Sequence, residues 1–336
     1  MHPERPFGVP ASARPASGTP ARAILSILLM AATLVACGQA PSPPASVSPV
    51  PIAAATPTPS PSLTPSPTPQ PTPNPLDAQL LGRRFTVLVV GEDVSAARRQ
   101  RGYIGDNTDA IMVVSVSADQ KRVAMISLPR DTVDVPLGNG QTWVGKVNGI
   151  ANTYGMDALR RAISTLFQIH IPYYVKVNMD DFVDLVDAVG GISVNVKTVV
   201  QEPRWNLYLT PGRVHLSGRE ALYFSRARHY DSDFARAARQ QQVIHALAMK
   251  YTNRKTDIDL PKVLGALSGL ETNLPMGELA SLIALGRRAA HADYVSEVLM
   301  PPRFSLGYGD QHDGRGWVII PNVEAMRAEV RALLHG

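Results

Sequence analysis

Short apolar runs alternate with helical patterns along the middle of the chain, and this alternation constrains the fold more than any other feature. Because strands and helices follow each other in turn, the sequence predicts an α/β or α+β sandwich. The runs predicted as strands are Phe85–Val90, Ala110–Ser117, Val123–Leu128, Tyr173–Val177 and Ile192–Val196. The segments predicted as helices are Tyr154–Phe167, Asp180–Val189, Ser217–Phe224 and Phe234–Tyr251.

The patterns after residue 253 are less regular. Helices are predicted at Leu260–Leu270 and Leu279–Ala290, and a last helix that ends at Leu334 follows the apolar segment Trp317–Pro321. We therefore expect a folded domain over residues 81–253 and a mainly helical C-terminal extension over residues 254–336.

The N-terminal residues 1–36 have the pattern of a secretory signal. Arg22 precedes a short apolar run that ends in Leu34-Val35-Ala36-Cys37. The run is shorter than the roughly 20 apolar residues of a spanning helix. Small residues before a cysteine resemble a bacterial lipobox, which implies cleavage before Cys37, lipidation of its thiol and an extracytoplasmic domain anchored to the membrane. A plain signal peptide or an atypical anchor helix is the alternative.

Residues 37–80 are predicted to be a linker. Fourteen prolines lie between Pro41 and Pro75, among Ser, Thr and Ala residues. Such a segment buries little apolar surface and favours extended polyproline II conformations. It would act as a stiff spacer between a membrane and the folded domain, or as an inert tail.

The charge balance argues against nucleic acid as a partner. The chain has 33 Lys and Arg against 28 Asp and Glu, and after residue 75 the numbers are 30 and 27. Nucleic-acid-binding domains usually carry a pronounced basic surface. Any cationic function must therefore come from local clusters.

One such cluster surrounds the predicted start of the last long helix of the folded domain. Arg226 and Arg228 are two residues apart, so an extended chain points both to one side. Asp233, Arg236 and Gln240 follow at helical spacing and share a face. A helix N-terminus with arginines on it favours phosphate. The alternative is a solvated helix face with ordinary salt bridges.

Two further carboxylates lie next to predicted strands. Asp93 follows the first strand and Asp109 precedes the second. Paired carboxylates without a nearby cysteine suit Mg²⁺ or Mn²⁺ better than zinc, and such an ion often bridges to substrate phosphates. The alternative is that both are capping or turn residues.

Several segments resemble LytR–CpsA–Psr proteins in order and spacing. The motifs that carry the resemblance are SLPRDT, KVN, VDAVGGISVNV, Arg-x-Arg-His and DxDFxRxxRQQ. The resembling segments are Leu88–Asp93, Thr108–Met112, Ser127–Thr132, Lys146–Asn148, Asp181–Val196 and Arg226–Gln241, within residues 85–252.

The resemblance implies an α/β/α sandwich around a central mixed sheet, with a hydrophobic groove for a lipid. It implies a Mg²⁺-dependent phosphotransferase that moves a glycopolymer from a polyprenyl-pyrophosphate carrier to peptidoglycan. Asp93 and Asp109 would hold the metal, and Asp233 would orient arginines or help deprotonate the acceptor. The implied catalytic residues also include Arg130 and Arg228, and the implied substrate-binding residues are Lys146, Arg226, Arg236, Arg239 and Gln240.

Two apolar stretches, Ile163–Phe167 and Phe182–Val189, are candidates for lining the lipid groove. Ordinary core packing is the alternative for each side chain.

The chain departs from the family pattern at the second carboxylate. The family usually has Arg-Ser/Gly-Asp-Thr there, whereas this chain reads Asn107-Thr108-Asp109-Ala110. Arg98, Arg99 or Arg101 are candidates to replace the absent arginine. The departure keeps two alternatives open: a lipoprotein that binds polyprenyl (pyro)phosphate without turnover, and a pyrophosphatase.

Overall fold

The computed structural model describes residues 76–102, 107–229, 232–252, 265–266, 268–289 and 291–335. The signal, Cys37, most of the linker, and Asp106 and Asp231 lie outside these residues, as does part of the predicted helix Leu260–Leu270.

The described helices and strands follow each other in mixed order. The α-helices are α1 Ala78–Gly82, α2 Ala96–Gln100, α3 Ile150–Tyr154, α4 Met156–Phe167, α5 Met179–Ala188, α6 Gly218–Arg226, α7 Asp233–Thr252, α8 Leu279–Ala289 and α9 Val323–His335. The strands are β1 Phe85–Glu92, β2 Thr108–Val116, β3 Arg122–Ser127, β4 Val135–Pro136, β5 Thr142–Trp143, β6 Tyr173–Val177, β7 Ile192–Val196, β8 Val200–Glu202, β9 Leu207–Leu209, β10 Gly212–Leu216, β11 Glu271–Thr272, β12 Asp293–Val298, β13 Ser305–Asp310 and β14 Trp317–Pro321. Short 3₁₀ turns cover Val147–Gly149, Pro203–Trp205 and Met276–Glu278.

Six strands form a central mixed sheet in the order β11-β6-β1-β2-β3-β12. β1 pairs antiparallel with β2 and parallel with β6, so it lies inside the sheet. This position explains why Phe85–Val90 is a nearly continuous apolar run, since both of its faces are covered. The five strands predicted from the sequence are all present, and the α/β class with a mixed sheet is confirmed.

Alternate residues of the sheet enter two separate cores. In β1, Val87 belongs to one core, whereas Leu88 and Val90 belong to the other. The first core holds side chains of α5, α6, α7 and α8, and the second those of α3, α4 and α9. Helices therefore cover both faces of the sheet, which is the α/β/α arrangement that the family resemblance implied.

Helix α5 ends where its sequence predicts. It stops at Ala188, and Gly190 and Gly191 follow with φ of +69° and +78°. A Cβ on Gly191 would lie 2.6 Å from the carbonyl oxygen of Leu216. The glycine pair therefore ends the helix and permits the close approach of β10.

The C-terminal segment differs from the predicted mainly helical extension. Helices α8 and α9 occupy the predicted places, but β11 and β12 belong to the central sheet. β12 pairs parallel with β3 along its whole length, from Asp293 to Val298. Its mixed polar and apolar sequence, DYVSEV, gave no strong strand signal. Its backbone groups find their hydrogen-bond partners on the outer edge of β3, and this pairing is not visible in the local sequence pattern.

Within the described residues, we find no helix with the length and apolarity needed to cross a bilayer.

Candidate functional site

A large apolar cavity lies between the sheet and helices α5, α6 and α7. Its volume is about 290 Å³. The sheet contributes side chains from one face of three neighbouring strands, because residues two apart in a strand point the same way. The apolar lining residues include Val87, Val89, Met112, Val114, Val175, Val177, Met179, Phe182, Leu185, Leu222, Val243, Ile244, Leu247 and Leu270. We call this the apolar cavity.

Of the two apolar stretches that were candidates for lining a lipid groove, the structure places only one at the apolar cavity. Phe182 and Leu185 line the apolar cavity, as predicted. The prediction for Ile163–Phe167 is wrong, because α4 packs on the other face of the sheet and Ile163, Leu166 and Phe167 are fully buried in its core.

Charged side chains surround one end of the apolar cavity. Asp93 leaves the end of β1, and its Oδ1 accepts a hydrogen bond from Arg226 Nη2 at 2.6 Å. Its Oδ2 lies 2.7 Å from Nη1 of Arg98. Burial lowers the pKa of Arg226, and Asp93 only partly offsets this. A carboxylate and a partly desolvated guanidinium therefore meet at the point where the sheet face ends.

Arg130 connects three carboxylates on the other side of this cluster. Its Nη1 donates to Asp109 Oδ2 at 2.9 Å, and its Nε lies 3.3 Å from Asp233 Oδ2 and 3.5 Å from Asp131 Oδ2. Burial lowers the pKa of Arg130, but the charges of Asp109 and Asp233 more than offset it and leave the pKa raised. Arg130 is therefore the charge that holds this side of the cluster together.

Asp233, the first residue of α7, also contacts two arginines of its own region. Its carboxylate oxygens lie 3.5 Å from Arg228 Nη1 and 3.2 Å from Arg236 Nη2. Ser232 caps the helix by accepting a hydrogen bond from the Ala235 N–H at 3.2 Å. The predicted common face is confirmed: Asp233 and Arg236 are paired, and Gln240 lines the cavity beside Arg236.

Arg236 has a hydrogen-bond donor that an anion could bind. It is only 7% exposed, and among the described residues its Nε has no hydrogen-bond partner. Burial lowers its pKa, with Asp233 acting in the opposite direction. A buried guanidinium with an unpaired donor gains strongly from a bound phosphate oxygen.

Two predicted substrate-binding residues lie outside the cavity lining. Lys146 contacts Asp131, with Nζ 2.7 Å from Oδ1. Arg239 is buried below the loop that carries Arg226 and Arg228, where it donates to the backbone carbonyls of Phe224 and Ala227. Both positions support the cluster through other residues and do not face the cavity. Asp233 also lies outside this lining. The other predicted residues, Asp93, Asp109, Arg130, Arg226, Arg228, Arg236 and Gln240, line it.

The loop at Asn107 shows how the chain accommodates the missing family arginine. The Asn107 side chain accepts a hydrogen bond from Asn152 at 3.4 Å. Arg98 lies against Asp93, and Arg99 lies 3.7 Å from Glu92. Of the three candidates, Arg98 is thus the one that brings a guanidinium to the cluster.

Sequence reasoning missed an aromatic support for Arg226. Trp205 lines the apolar cavity, and its ring lies 5.1 Å from the guanidinium carbon of Arg226 and equally far from that of Arg204. Tyr223 stacks on the same ring at 5.0 Å. Cations over an indole face are stabilised by the ring quadrupole. Trp205 follows Pro203 in a short turn with no pattern that would distinguish it from a surface residue.

Glu202 was also missed, and it supports the loop that carries Arg228. Its carboxylate is fully buried and accepts two hydrogen bonds from Arg204, both at 2.8 Å. The backbone N–H of Arg228 donates to the same carboxylate at 3.3 Å. The hydrogen bonds from Arg204 lower the pKa of Glu202 to about 2.

We expect Glu202→Gln to lower the free energy of unfolding at pH 7 by about 2 kcal/mol, the usual scale for a hydrogen bond to a charged group. Because the pKa of Glu202 falls from 4.5 to about 2 on folding, its contribution is complete above pH 4.5 and is lost as the pH falls to 2. Thermal unfolding of both proteins from pH 7 to pH 2 tests this. Their melting temperatures should converge in acid, whereas Glu324→Gln, on the exposed face of α9, should match wild type throughout. A constant difference across this range would contradict the assignment.

Asp93 and Asp109 could hold a divalent ion only if a bound substrate supplied further oxygen ligands. Among the residues that the structure describes, no three His, Cys, Asp or Glu side chains converge as a metal site. Asp93 and Asp109 nevertheless both line the charged end of the cavity. Mg²⁺ is commonly held by one or two carboxylates and completed by substrate phosphates. The pair therefore fits Mg²⁺ or Mn²⁺ completed by phosphate oxygens.

An apolar cavity that ends in arginines and carboxylates has the chemistry of a site for a lipid with a phosphate head group. The family model of the LytR_cpsA_psr family matches residues 67–315. This chain belongs to that family.

Two relatives of this chain are teichoic acid transferases of Bacillus. TagV of Bacillus subtilis (strain 168), a polyisoprenyl-teichoic acid–peptidoglycan teichoic acid transferase, is 32% identical over 203 residues, which are 58% of this chain and 51% of TagV. TagU of Bacillus anthracis (strain CDC 684 / NRRL 3495), which has the same activity name, is 30% identical over 197 residues, 58% of this chain and 62% of TagU. This chain therefore matches between about half and two thirds of these relatives.

The fold agrees with that relationship. The crystal structure of B. subtilis TagV superposes with a TM-score of 0.58 at 25% identity, over 75% of this chain and 98% of the TagV chain.

Proposed function

We propose that this protein transfers a glycopolymer from a polyprenyl-diphosphate carrier to peptidoglycan and forms a phosphodiester. The observation that carries the proposal is the junction of the apolar cavity with Asp93, Asp109, Arg130, Arg226 and Arg236. The activity named for TagV and TagU supports it. A polyprenyl chain would occupy the apolar cavity, and the diphosphate would lie among the arginines.

In the reaction, an acceptor hydroxyl oxygen attacks the phosphorus that carries the polymer. A new P–O bond forms, the bond to the polyprenyl phosphate breaks, and polyprenyl monophosphate leaves. The hydroxyl proton passes to a carboxylate or to water. Phosphoryl transfer asks the protein mainly for positioning and charge neutralisation, which guanidinium groups supply.

The carboxylates have two proposed roles. Asp93 and Asp109 would hold Mg²⁺ or Mn²⁺ together with diphosphate oxygens, and the ion would offset charge on the leaving phosphate. Asp233 would orient Arg130, Arg228 and Arg236, each of which it contacts within 3.5 Å. The Asp93 carboxylate accepts a hydrogen bond from Arg226 and forms an ion pair with Arg98, and these two contacts fix its position.

The test is a transfer assay with polyprenyl-diphosphoryl N-acetylglucosamine as donor and uncrosslinked peptidoglycan strands as acceptor. We expect labelled sugar phosphate on the acceptor with Mg²⁺ or Mn²⁺, and none with a chelator. Asp93→Asn should abolish transfer, while Asp157→Asn, an exposed carboxylate on α4, should leave it unchanged.

Two other outcomes would replace the proposal. Release of sugar phosphate without attachment would indicate a pyrophosphatase. Donor binding without any product would indicate a passive carrier of polyprenyl phosphates, which the absent arginine at Asn107 favours.

We also propose that the domain acts outside the cytoplasm as a lipoprotein. The support is the apolar run that ends at Cys37 and the proline-rich segment after it. In intact cells, Cys37→Ser should abolish palmitate labelling and release the protein from the membrane fraction. Ser46→Ala, in the same segment, should change neither. Labelling that survives the loss of Cys37 would refute lipidation at this residue.

A further inference from the structure

A second, smaller cavity meets the apolar cavity at the arginine cluster. Four residues line both cavities: Asp109, Arg130, Arg236 and Gln240. The walls that belong only to the second cavity include Pro129, Asp131, Asp233, Phe234, Trp317 and Ile319. Arg130 and Arg236 thus line both the large apolar cavity and a second, much smaller cavity whose walls combine apolar and charged side chains.

We propose that the exposed ring of Trp317, beside the second cavity, binds the sugar of the acceptor glycan. This cavity, of about 20 Å³, has room for a hydroxyl group of that sugar but not for its ring. The inference rests on the proposed function, because it assumes that the lipid-linked donor occupies the apolar cavity. An acceptor hydroxyl must then reach the diphosphate from a place that the lipid does not fill. The second cavity is such a place, since it shares the arginines but not the apolar walls.

The carboxylates of the second cavity suit a sugar. Asp131 and Asp233 line it but do not line the apolar cavity. Asp131 is fixed by Lys146 at 2.7 Å, and Asp233 by the surrounding arginines. Fixed carboxylate oxygens accept hydrogen bonds from sugar hydroxyls. Arg236 adds an independent sign of a ligand, because it is 7% exposed and its Nε has no hydrogen-bond partner among the described residues.

Trp317 supplies the apolar surface that a sugar ring requires. Its side chain is 42% exposed at the start of β14. The backbone of β14 is attached to the loop that carries Arg130, since Ile319 N donates to Asp131 O and Val133 N donates to Ile319 O, both at 3.0 Å. The strand that carries Trp317 is therefore attached to the backbone next to Arg130. A flat aromatic face packs well against the C–H face of a hexose.

The test measures transfer as the concentration of acceptor glycan varies. We expect Trp317→Ala to raise the KM for peptidoglycan strands about tenfold, with kcat and the Kd for donor unchanged. Trp317→Phe should recover most of the loss. The matched control is Tyr308→Ala, which removes an exposed aromatic from the paired strand β13 outside both cavities and should behave as wild type.

A direct measurement of glycan binding tests the inference without depending on transfer activity. Calorimetry with an N-acetylglucosamine–N-acetylmuramic acid tetrasaccharide should show binding to wild type and to Tyr308→Ala, and about tenfold weaker binding to Trp317→Ala. Equal acceptor KM in Trp317→Ala and wild type would overturn the inference while leaving the proposed function intact. If neither wild type nor any variant transfers polymer, the proposed function fails. If, in addition, Trp317→Ala binds the tetrasaccharide as tightly as wild type does, the inference is overturned as well. If Trp317→Ala does not fold, the comparison of Trp317→Phe with wild type decides by the same measurements.

Discussion

Replacing Arg130 by methionine is expected to lower the transfer rate by about a hundredfold to a thousandfold, the usual cost of removing one preorganised donor at a reacting centre. Arg130 lies at the boundary of both cavities and contacts Asp109, Asp131 and Asp233 within 3.5 Å. Without it, these carboxylates lose the cation they share, and the diphosphate meets a more negative site. Steady-state transfer at saturating donor and acceptor measures the effect.

The same change should also lower stability, because three carboxylates remain close together without their common partner. We expect a lower melting temperature that rises again with salt, since salt screens the repulsion. Arg130→Lys should restore part of the stability but little of the activity. An ammonium cannot reproduce the planar guanidinium that donates to Asp109 while its Nε lies within 3.5 Å of Asp131 and Asp233.

The matched control is Arg303→Met. Arg303 is 64% exposed and pairs with Glu329 far along the chain from the cluster. Its loss should leave transfer at the wild-type level. Normal turnover in Arg130→Met would show that the reaction does not take place at this cluster.

Replacing Ile244 by tryptophan is expected to weaken binding of a polyprenyl-diphosphate donor by about a hundredfold. Ile244 is a partly buried residue of α7 that lines the apolar cavity. The larger indole would occupy space in a cavity of about 290 Å³. Each displaced methylene of the lipid loses roughly 0.8 kcal/mol of burial, so the loss of three or four produces this effect.

A water-soluble diphosphate sugar that lacks the lipid should bind Ile244→Trp and wild type equally, because the arginine cluster is unchanged. Calorimetry with both ligands separates the two contributions. Leu333→Trp, a similar change at a partly buried residue on the opposite face of the sheet, should leave lipid binding intact. Full affinity of Ile244→Trp for the long-chain donor would show that the lipid does not enter this cavity.

The placement of the charged residues shows what sequence spacing can and cannot predict. Helical spacing correctly placed Asp233, Arg236 and Gln240 together, because three- and four-residue steps meet on any α-helix. The family resemblance added Arg239 to the substrate-binding residues, but Arg239 lies beneath the loop and donates hydrogen bonds to its carbonyls. Spacing predicts which residues are neighbours, whereas packing decides which of them face a cavity.

The apolar stretches show the same limit. The pattern of α4 predicted its buried face correctly, with Leu159, Ala162 and Ile163 all fully buried. Periodicity carries no information about which side of a sheet the helix covers, so the prediction that Ile163–Phe167 lines the groove was wrong. β12 likewise pairs with β3, a long-range contact that the local pattern of β12 does not predict.

The sequence by itself determined the inner strands, the helix ends and the chemical character of the charged clusters. These depend on local steric preferences and on side-chain types that are readable along the chain. Tertiary structure alone decided that Asp93 meets Arg226, that Arg130 lines two cavities, and that Glu202, Trp205 and Trp317 support or flank the arginines. These contacts join residues far apart in sequence, and their geometry follows from strand order and helix packing, which no local pattern specifies.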